Sequence, residues 1–211
     1  MAAQRSEVVI VKFLEKHRTR ISQILGVVYI LVFTFSEKKL DTTMPVVTGI
    51  MSMAGLTLVG AATAGRLWCA QYIAGYKTES LITVGPYSVC RNPLYFFSLL
   101  GGIGIGLCTE SVTLALTVPV VFAVIYPLTI FQEEKKLHEL HAEAYGRYMS
   151  SVPRFFPNWS LFHTPPEYVV NTKVFRRELM DSICFLLVAG LFEIIEELID
   201  TGSIATFFAL Y

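Results

Sequence analysis

One permanent cation, two prolines and two tyrosines fall in a single short stretch, Gly85-Pro86-Tyr87-Ser88-Val89-Cys90-Arg91-Asn92-Pro93-Leu94-Tyr95, and further along the chain Glu133 and Glu134 stand side by side. Arginine grips a carboxylate in a planar, two-pronged fashion. Tyrosine offers an aromatic face and a hydroxyl, and a carboxylate accepts from an ammonium. The set suits a small zwitterionic ligand with a flat ring.

Pro86 fixes one backbone torsion and Gly85 permits a tight bend, while Pro93 fits the first position of a helix, where no amide partner is lost. Asn92, just before that helix, is expected to act as its N-cap. Cys90 lies inside the turn, but an ordinary thiol ionises only near pH 8.5 and the sequence supplies it no base, so it reads as a buried thiol. Cys69, Cys108 and Cys184 also stand singly, without the paired spacing of a metal knuckle. His138 and His141 share a helical face with Glu134, which reads as a solvated face and not as a metal site.

These residues need a membrane to position them. The chain is 54% hydrophobic and 16% charged, against about 25% charged in soluble domains, and its mean hydropathy is +0.55. Its formal net charge is zero, so nothing draws it to nucleic acid. Five segments, residues 21–36, 44–74, 94–108, 112–131 and 180–199, approach the roughly 20 apolar residues that span a bilayer. The expected fold is therefore all-α, a polytopic bundle of about five transmembrane helices. Gly101, Gly102, Gly104 and Gly106 let the short third segment pack closely, in a hairpin with the fourth.

Lysine and arginine placement orients the bundle, because cytoplasmic loops carry the excess. Lys12, Lys16, Arg18 and Arg20 precede the first span; Arg66, Lys77 and Arg91 flank the second and third; Lys135, Lys136, Arg147, Arg154, Lys173, Arg176 and Arg177 lie between the fourth and fifth. Only Lys38 and Lys39 fall opposite. The N-terminus and the Gly85 turn are expected in the cytosol, the C-terminus on the other side, and no cleavable signal is read in the first twenty residues.

After the fourth span, Leu137, Leu140, Ala144, Tyr145 and Tyr148 recur at helical spacing, and Pro153 closes that helix. Phe155, Phe156 and Trp159 follow among prolines, either as an interfacial aromatic belt or as a wall for an acyl or prenyl chain. Glu193, Glu196, Glu197 and Asp200 share one helical face, expected to emerge at the headgroups.

Taken together, Leu81-Ile82-Thr83-Val84-Gly85-Pro86-Tyr87, Arg91-Asn92-Pro93-Leu94-Tyr95, Glu133-Glu134, Tyr145-Gly146-Arg147-Tyr148 and Val152-Pro153-Arg154-Phe155-Phe156-Pro157 resemble the isoprenylcysteine carboxyl methyltransferase superfamily, whose carboxyl-terminal architecture the phospholipid N-methyltransferases share. The resemblance runs from about residue 74 to residue 157. It implies an integral membrane enzyme that uses S-adenosylmethionine, with Gly85, Pro86, Tyr87, Arg91, Asn92, Pro93, Tyr95, Glu133 and Glu134 binding the cofactor and Arg91 and Glu134 serving catalysis. It further implies a lipid or lipidated acceptor, methylated on a carboxylate, amine or thiol. One domain is expected, with N-terminal spans over 1–75, the cofactor-binding core over 76–157, and an interfacial segment and last span over 158–211. Asn92 departs from the histidine common there, so the resemblance speaks for the cofactor more than for one acceptor. An NADPH-dependent membrane reductase and a non-catalytic lipid-binding scaffold are the other readings.

Overall fold

Proline opens three helices in succession. Pro45, Pro86 and Pro93 each occupy the first turn of a helix, where the missing amide costs nothing and the fixed torsion is already helical. The computed structural model describes residues 20, 23–38, 40, 44–74 and 80–210. Among these it has six helices: α1 (Gln23–Thr34), α2 (Pro45–Ile73), α3 (Pro86–Val89), α4 (Pro93–Leu107), α5 (Val112–Ser151) and α6 (Thr172–Asp200). A 3-10 turn, Trp159–Leu161, lies between α5 and α6.

The all-helical expectation needs one addition. Strands β1 (Ser36–Lys38) and β2 (Phe208–Leu210) pair in parallel, Ser36 opposite Phe208, so the chain's last described residues are fastened beside the link that follows α1. The same end of the molecule holds a buried cluster of Phe33, Leu114, Phe192 and Ile195. Of the four acids on α6, Glu193, Glu197 and Asp200 are exposed and Glu196 is half-buried, with Leu191, Ile194 and Leu198 exposed among them.

Of these helices, α2 and α5 are long and apolar enough to cross a membrane. Val46, Met53, Val120 and Val124 on them are 63–74% exposed, an apolar surface that water would penalise. The described part of α1 rises about 18 Å and α4 about 22 Å, less than the roughly 30 Å hydrocarbon core. Lys12, Lys16, Arg18, Lys39 and Lys77, on which the orientation partly rests, lie outside the described residues, as does the start of the first expected span.

Small residues bring α2 and α4 together. A Cβ on Gly104 would stand 2.8 Å from the Gly55 carbonyl oxygen and 2.9 Å from the Val59 amide nitrogen, and backbone cannot step aside. Gly104→Ala is expected to cost about 1–3 kcal/mol through overpacking. Gly60, which faces open space, is the control: Gly60→Ala should leave the thermal midpoint in detergent unchanged or raised, as helix propensity favours alanine.

Two expectations shift. The segment after residue 131 continues the helix of the fourth span as far as Ala142, where a kink separates it from a second helical piece that runs to Ser151. Its phase breaks at Ala142, whose backbone is non-helical (φ 38°, ψ −110°). The single apolar stripe is therefore split: Tyr145 and Tyr148 are buried and Leu137 packs against them, while Leu140 is 53% exposed and Ala144 is exposed. The helix ends at Ser151, with Val152 as its C-cap directly before Pro153.

Candidate functional site

The turn that starts at Gly85 is shaped by its neighbours. Gly85 has φ 62°, and a Cβ there would strike the ring of Tyr72 on α2, so conformation and space both require glycine. From below, the segment after α5 straps the turn in place: the Arg91 amide donates to the Pro153 carbonyl at 2.9 Å, the Asn158 amide to the Val89 carbonyl at 2.8 Å, and the Gly85 amide to the His163 carbonyl at 2.9 Å. The Tyr148 hydroxyl donates to the Tyr87 carbonyl at 2.7 Å. Aromatic stacking ties the strap to α2, with Trp159 parallel to Trp68 at 6.1 Å and Tyr168 beside Tyr72 at 4.7 Å.

Asn92 stands at the N-cap of α4 but its side chain does not cap it. The Nδ2 group donates instead to Glu134 Oε1 at 2.9 Å and to the Arg154 carbonyl at 3.0 Å. Capping would satisfy one local amide; the cross-link joins the turn, α5 and the strap, and Pro93 has already removed one of the orphan amides. Glu134 is the hub of that cross-link. It pairs with Arg91 Nη1 at 3.6 Å and with Arg154 Nε at 3.1 Å. The side chains of Arg91 and Glu134 are 11% and 12% exposed, that of Arg154 46%, so the first pair is held out of water and the second is half-wet.

Above the turn lies a cavity of about 510 Å³ between α2, α4 and α5, within the roughly 300–1,000 Å³ of small-molecule sites. Of the residues singled out in the sequence, Tyr87, Arg91, Asn92, Pro93, Tyr95 and Glu133 line it. Gly85, Pro86 and Glu134 do not: the first two shape the turn from beneath, and Glu134 faces the cross-link while its neighbour Glu133, one helical step away, faces the cavity. Phe155, Phe156 and Trp159 also lie outside the lining. Phe155 packs on Phe96 and Phe122 and Trp159 on Trp68, because the strap turns these rings against the helices.

Arg66, Ser98, Tyr126 and Lys136 line the cavity as well, and none was marked as a site residue in the sequence. Arg66 does not flank its helix but lies within α2. A charge inside an apolar run is the signal that could have found it. Arg154 was legible only as part of a motif, since its role depends on a partner twenty residues earlier on another element.

Burial holds the polar hydroxyls of the site protonated. Tyr145 is pushed up to about 12 by burial and then by the Glu134 charge, with Arg91 opposing; Tyr87 and Tyr148 are raised by burial too. Tyr148 serves as a hydrogen-bond donor, and burial keeps all three from acting as bases. The Cys90 thiol is pushed up to about 12 by burial, so at pH 8 only about one thiol in ten thousand is ionised. Iodoacetamide at that pH is expected to leave Cys90 unmodified in the folded protein, and peptide mass spectrometry showing rapid alkylation would contradict it. Among the described residues no three His, Cys, Asp or Glu side chains gather as a metal ion requires.

The phospholipid methyltransferase family model matches residues 46–144, so the match takes in α2 and stops short of the strap, earlier at both ends than the motifs in the sequence suggest. The nickel-cobalt-cadmium resistance protein NccN of Alcaligenes xylosoxydans xylosoxydans is 41% identical over 175 residues, covering 82% of this chain and 80% of that protein. The cobalt-zinc-cadmium resistance protein CzcN of Cupriavidus metallidurans is 35% identical over 190 residues, covering 90% and 87%. No solved structure matches the chain. The lining of the cavity between α2, α4 and α5, Tyr148 apart, falls within the region that the phospholipid methyltransferase model matches, and the chain belongs to one family with NccN and CzcN.

Proposed function

We propose that the protein is an S-adenosylmethionine-dependent methyltransferase of a five-span membrane bundle, acting at the cytoplasmic face on a lipid-like or lipidated acceptor. One observation carries this: the cavity in the matched region is walled by Arg91, Glu133, Tyr87 and Tyr95, which sets a permanent cation, an acid and two aromatic side chains around one space. The residues fit the cofactor group by group. Arg91 suits its carboxylate, Glu133 its ammonium, and the tyrosine faces its adenine or sulfonium.

When bound, the cofactor supplies an electrophilic methyl group whose bonding electrons return to sulfur on transfer, with no metal needed. The chain's own contribution is to hold donor and acceptor in line and to keep water away. Burial holds Tyr87, Tyr148 and Cys90 protonated, so a carboxylate or thiolate acceptor, already carrying its electron pair, asks least of these residues. The resistance to metals in the relatives' names would then be exercised through a methylated product.

Titration calorimetry of the detergent-solubilised chain with S-adenosylhomocysteine tests the reading, followed by transfer of labelled methyl groups to membrane lipids. Saturable binding and label in the lipid fraction are expected. A well-folded preparation without saturable binding would sink the proposal, and saturable NADPH binding in its place would favour a reductase.

A further inference from the structure

Arg66 lies seven residues before the end of α2 at Ile73, about 10 Å of rise into an apolar helix. A guanidinium at that depth is costly unless something compensates it. Its described partners are a hydroxyl and a ring. Nη1 donates to Ser98 Oγ at 2.5 Å, and the guanidinium carbon lies 5.2 Å from the centre of the Phe185 ring. Ser98 spends its own proton on the Leu94 carbonyl at 2.7 Å, so Arg66 meets a lone pair and no negative charge. Nε is buried with no hydrogen-bond partner, and among the described residues no carboxylate pairs with Arg66. Arg66 and Ser98 both line the cavity.

The cavity thus has two arginines. Arg91 precedes α4, and Ser98, which holds Arg66, lies about 8–10 Å further along it. S-adenosylmethionine has one carboxylate, and Arg91, close to Glu133 on the wall, suits its amino-acid end. The second cation then has no group of the cofactor to meet. It faces the part of the cavity nearer the middle of α2 and α4, from which a membrane-borne acceptor would enter.

We infer that Arg66, held by Ser98 and Phe185, is the receptor for an anionic group of the acceptor, a carboxylate or a phosphate, and that it sets a preference for anionic amphiphiles. The inference rests on the methyltransferase reading. The arginine fork matches both oxyanions, and the Phe185 ring, 5.2 Å from the guanidinium carbon, favours the cation without neutralising its charge. Phe185 belongs to α6, beyond the matched region that ends at residue 144, so an element outside the family domain supports the acceptor's recognition.

The test measures binding of dodecyl phosphate, dodecanol, inorganic phosphate and S-adenosylhomocysteine to the full chain in a neutral detergent. Wild type should prefer dodecyl phosphate to dodecanol by about tenfold or more, the worth of one charge-assisted hydrogen bond. Inorganic phosphate should bind more weakly than dodecyl phosphate, showing that the anion is recognised on a lipid chain. Arg66→Gln should erase the preference and leave S-adenosylhomocysteine affinity within about twofold. Arg66→Lys keeps the charge without the fork and should lose part of the preference, which decides the matter if the glutamine variant does not fold. Parallel loss of S-adenosylhomocysteine binding would assign Arg66 to the cofactor and overturn the inference, as would a preference untouched by Arg66→Gln. Arg66-dependent binding of dodecyl phosphate in a chain that binds no S-adenosylhomocysteine would remove the methyltransferase reading and leave the anion site standing.

Discussion

Glu134→Ala is expected to lower both the stability of the site and its affinity for S-adenosylhomocysteine, with a loss of about 3 kcal/mol in the first and a fall of some 6–12 °C in the thermal midpoint. The reason is what the carboxylate leaves behind. Arg91 is only 11% exposed, and without Glu134 its charge is buried with no counter-ion among the described residues. Asn92 loses one of its two acceptors, the bond at 2.9 Å, and keeps the Arg154 carbonyl at 3.0 Å. Arg154, 46% exposed, turns to water at little cost. Glu134→Gln keeps an oxygen for Asn92 and removes the charge, so it should fall between the alanine variant and wild type. Thermal unfolding in detergent and calorimetry on the same preparations check both effects. A Glu134→Gln protein of unchanged stability and affinity but greatly reduced turnover would show instead that the carboxylate acts on the reacting groups.

That result would also revise how the pair Glu133-Glu134 is understood. In the sequence both read as cofactor ligands, with Glu134 assigned to catalysis as well. In the fold, one helical step of about 100° separates them, enough to send Glu133 to the cavity wall and Glu134 to the cross-link. Which of two adjacent acids faces inward depends on the phase of α5 against α4, and that phase is set by packing that no local pattern records. The ends of α2 and α4 were legible to within one residue, because apolar runs and prolines define them locally: 44–74 became Pro45–Ile73 and 94–108 became Pro93–Leu107. The break at Ala142 was not legible, since alanine is a good helix former and nothing in the local pattern marks a non-helical residue there. Asn92 shows the same limit from the other side. Its position predicts a cap and is one, but its side chain is claimed by a partner 42 residues away, which a charged neighbour in low dielectric makes the stronger interaction.

Arg91→Ala should separate binding from stability where Glu134→Ala does not. Removing the guanidinium leaves Glu134 with Arg154 at 3.1 Å and with the Asn92 amide at 2.9 Å, so its charge remains compensated. The bond from the residue 91 amide to the Pro153 carbonyl at 2.9 Å belongs to the backbone and survives. The turn should therefore hold, with a stability change of about 1 kcal/mol or less. Affinity for S-adenosylhomocysteine should fall by about 10- to 100-fold, the worth of a charge-assisted hydrogen bond in a site shielded from water. Arg91→Lys is expected to recover little of it, because an ammonium restores the charge without the planar pair of donors. Calorimetry across the three proteins decides between a cofactor ligand and a brace: equal losses of stability in Arg91→Ala and Glu134→Ala, with affinity falling only as the fold does, would make Arg91 part of the scaffold and leave the carboxylate of the ligand to another cation on the wall.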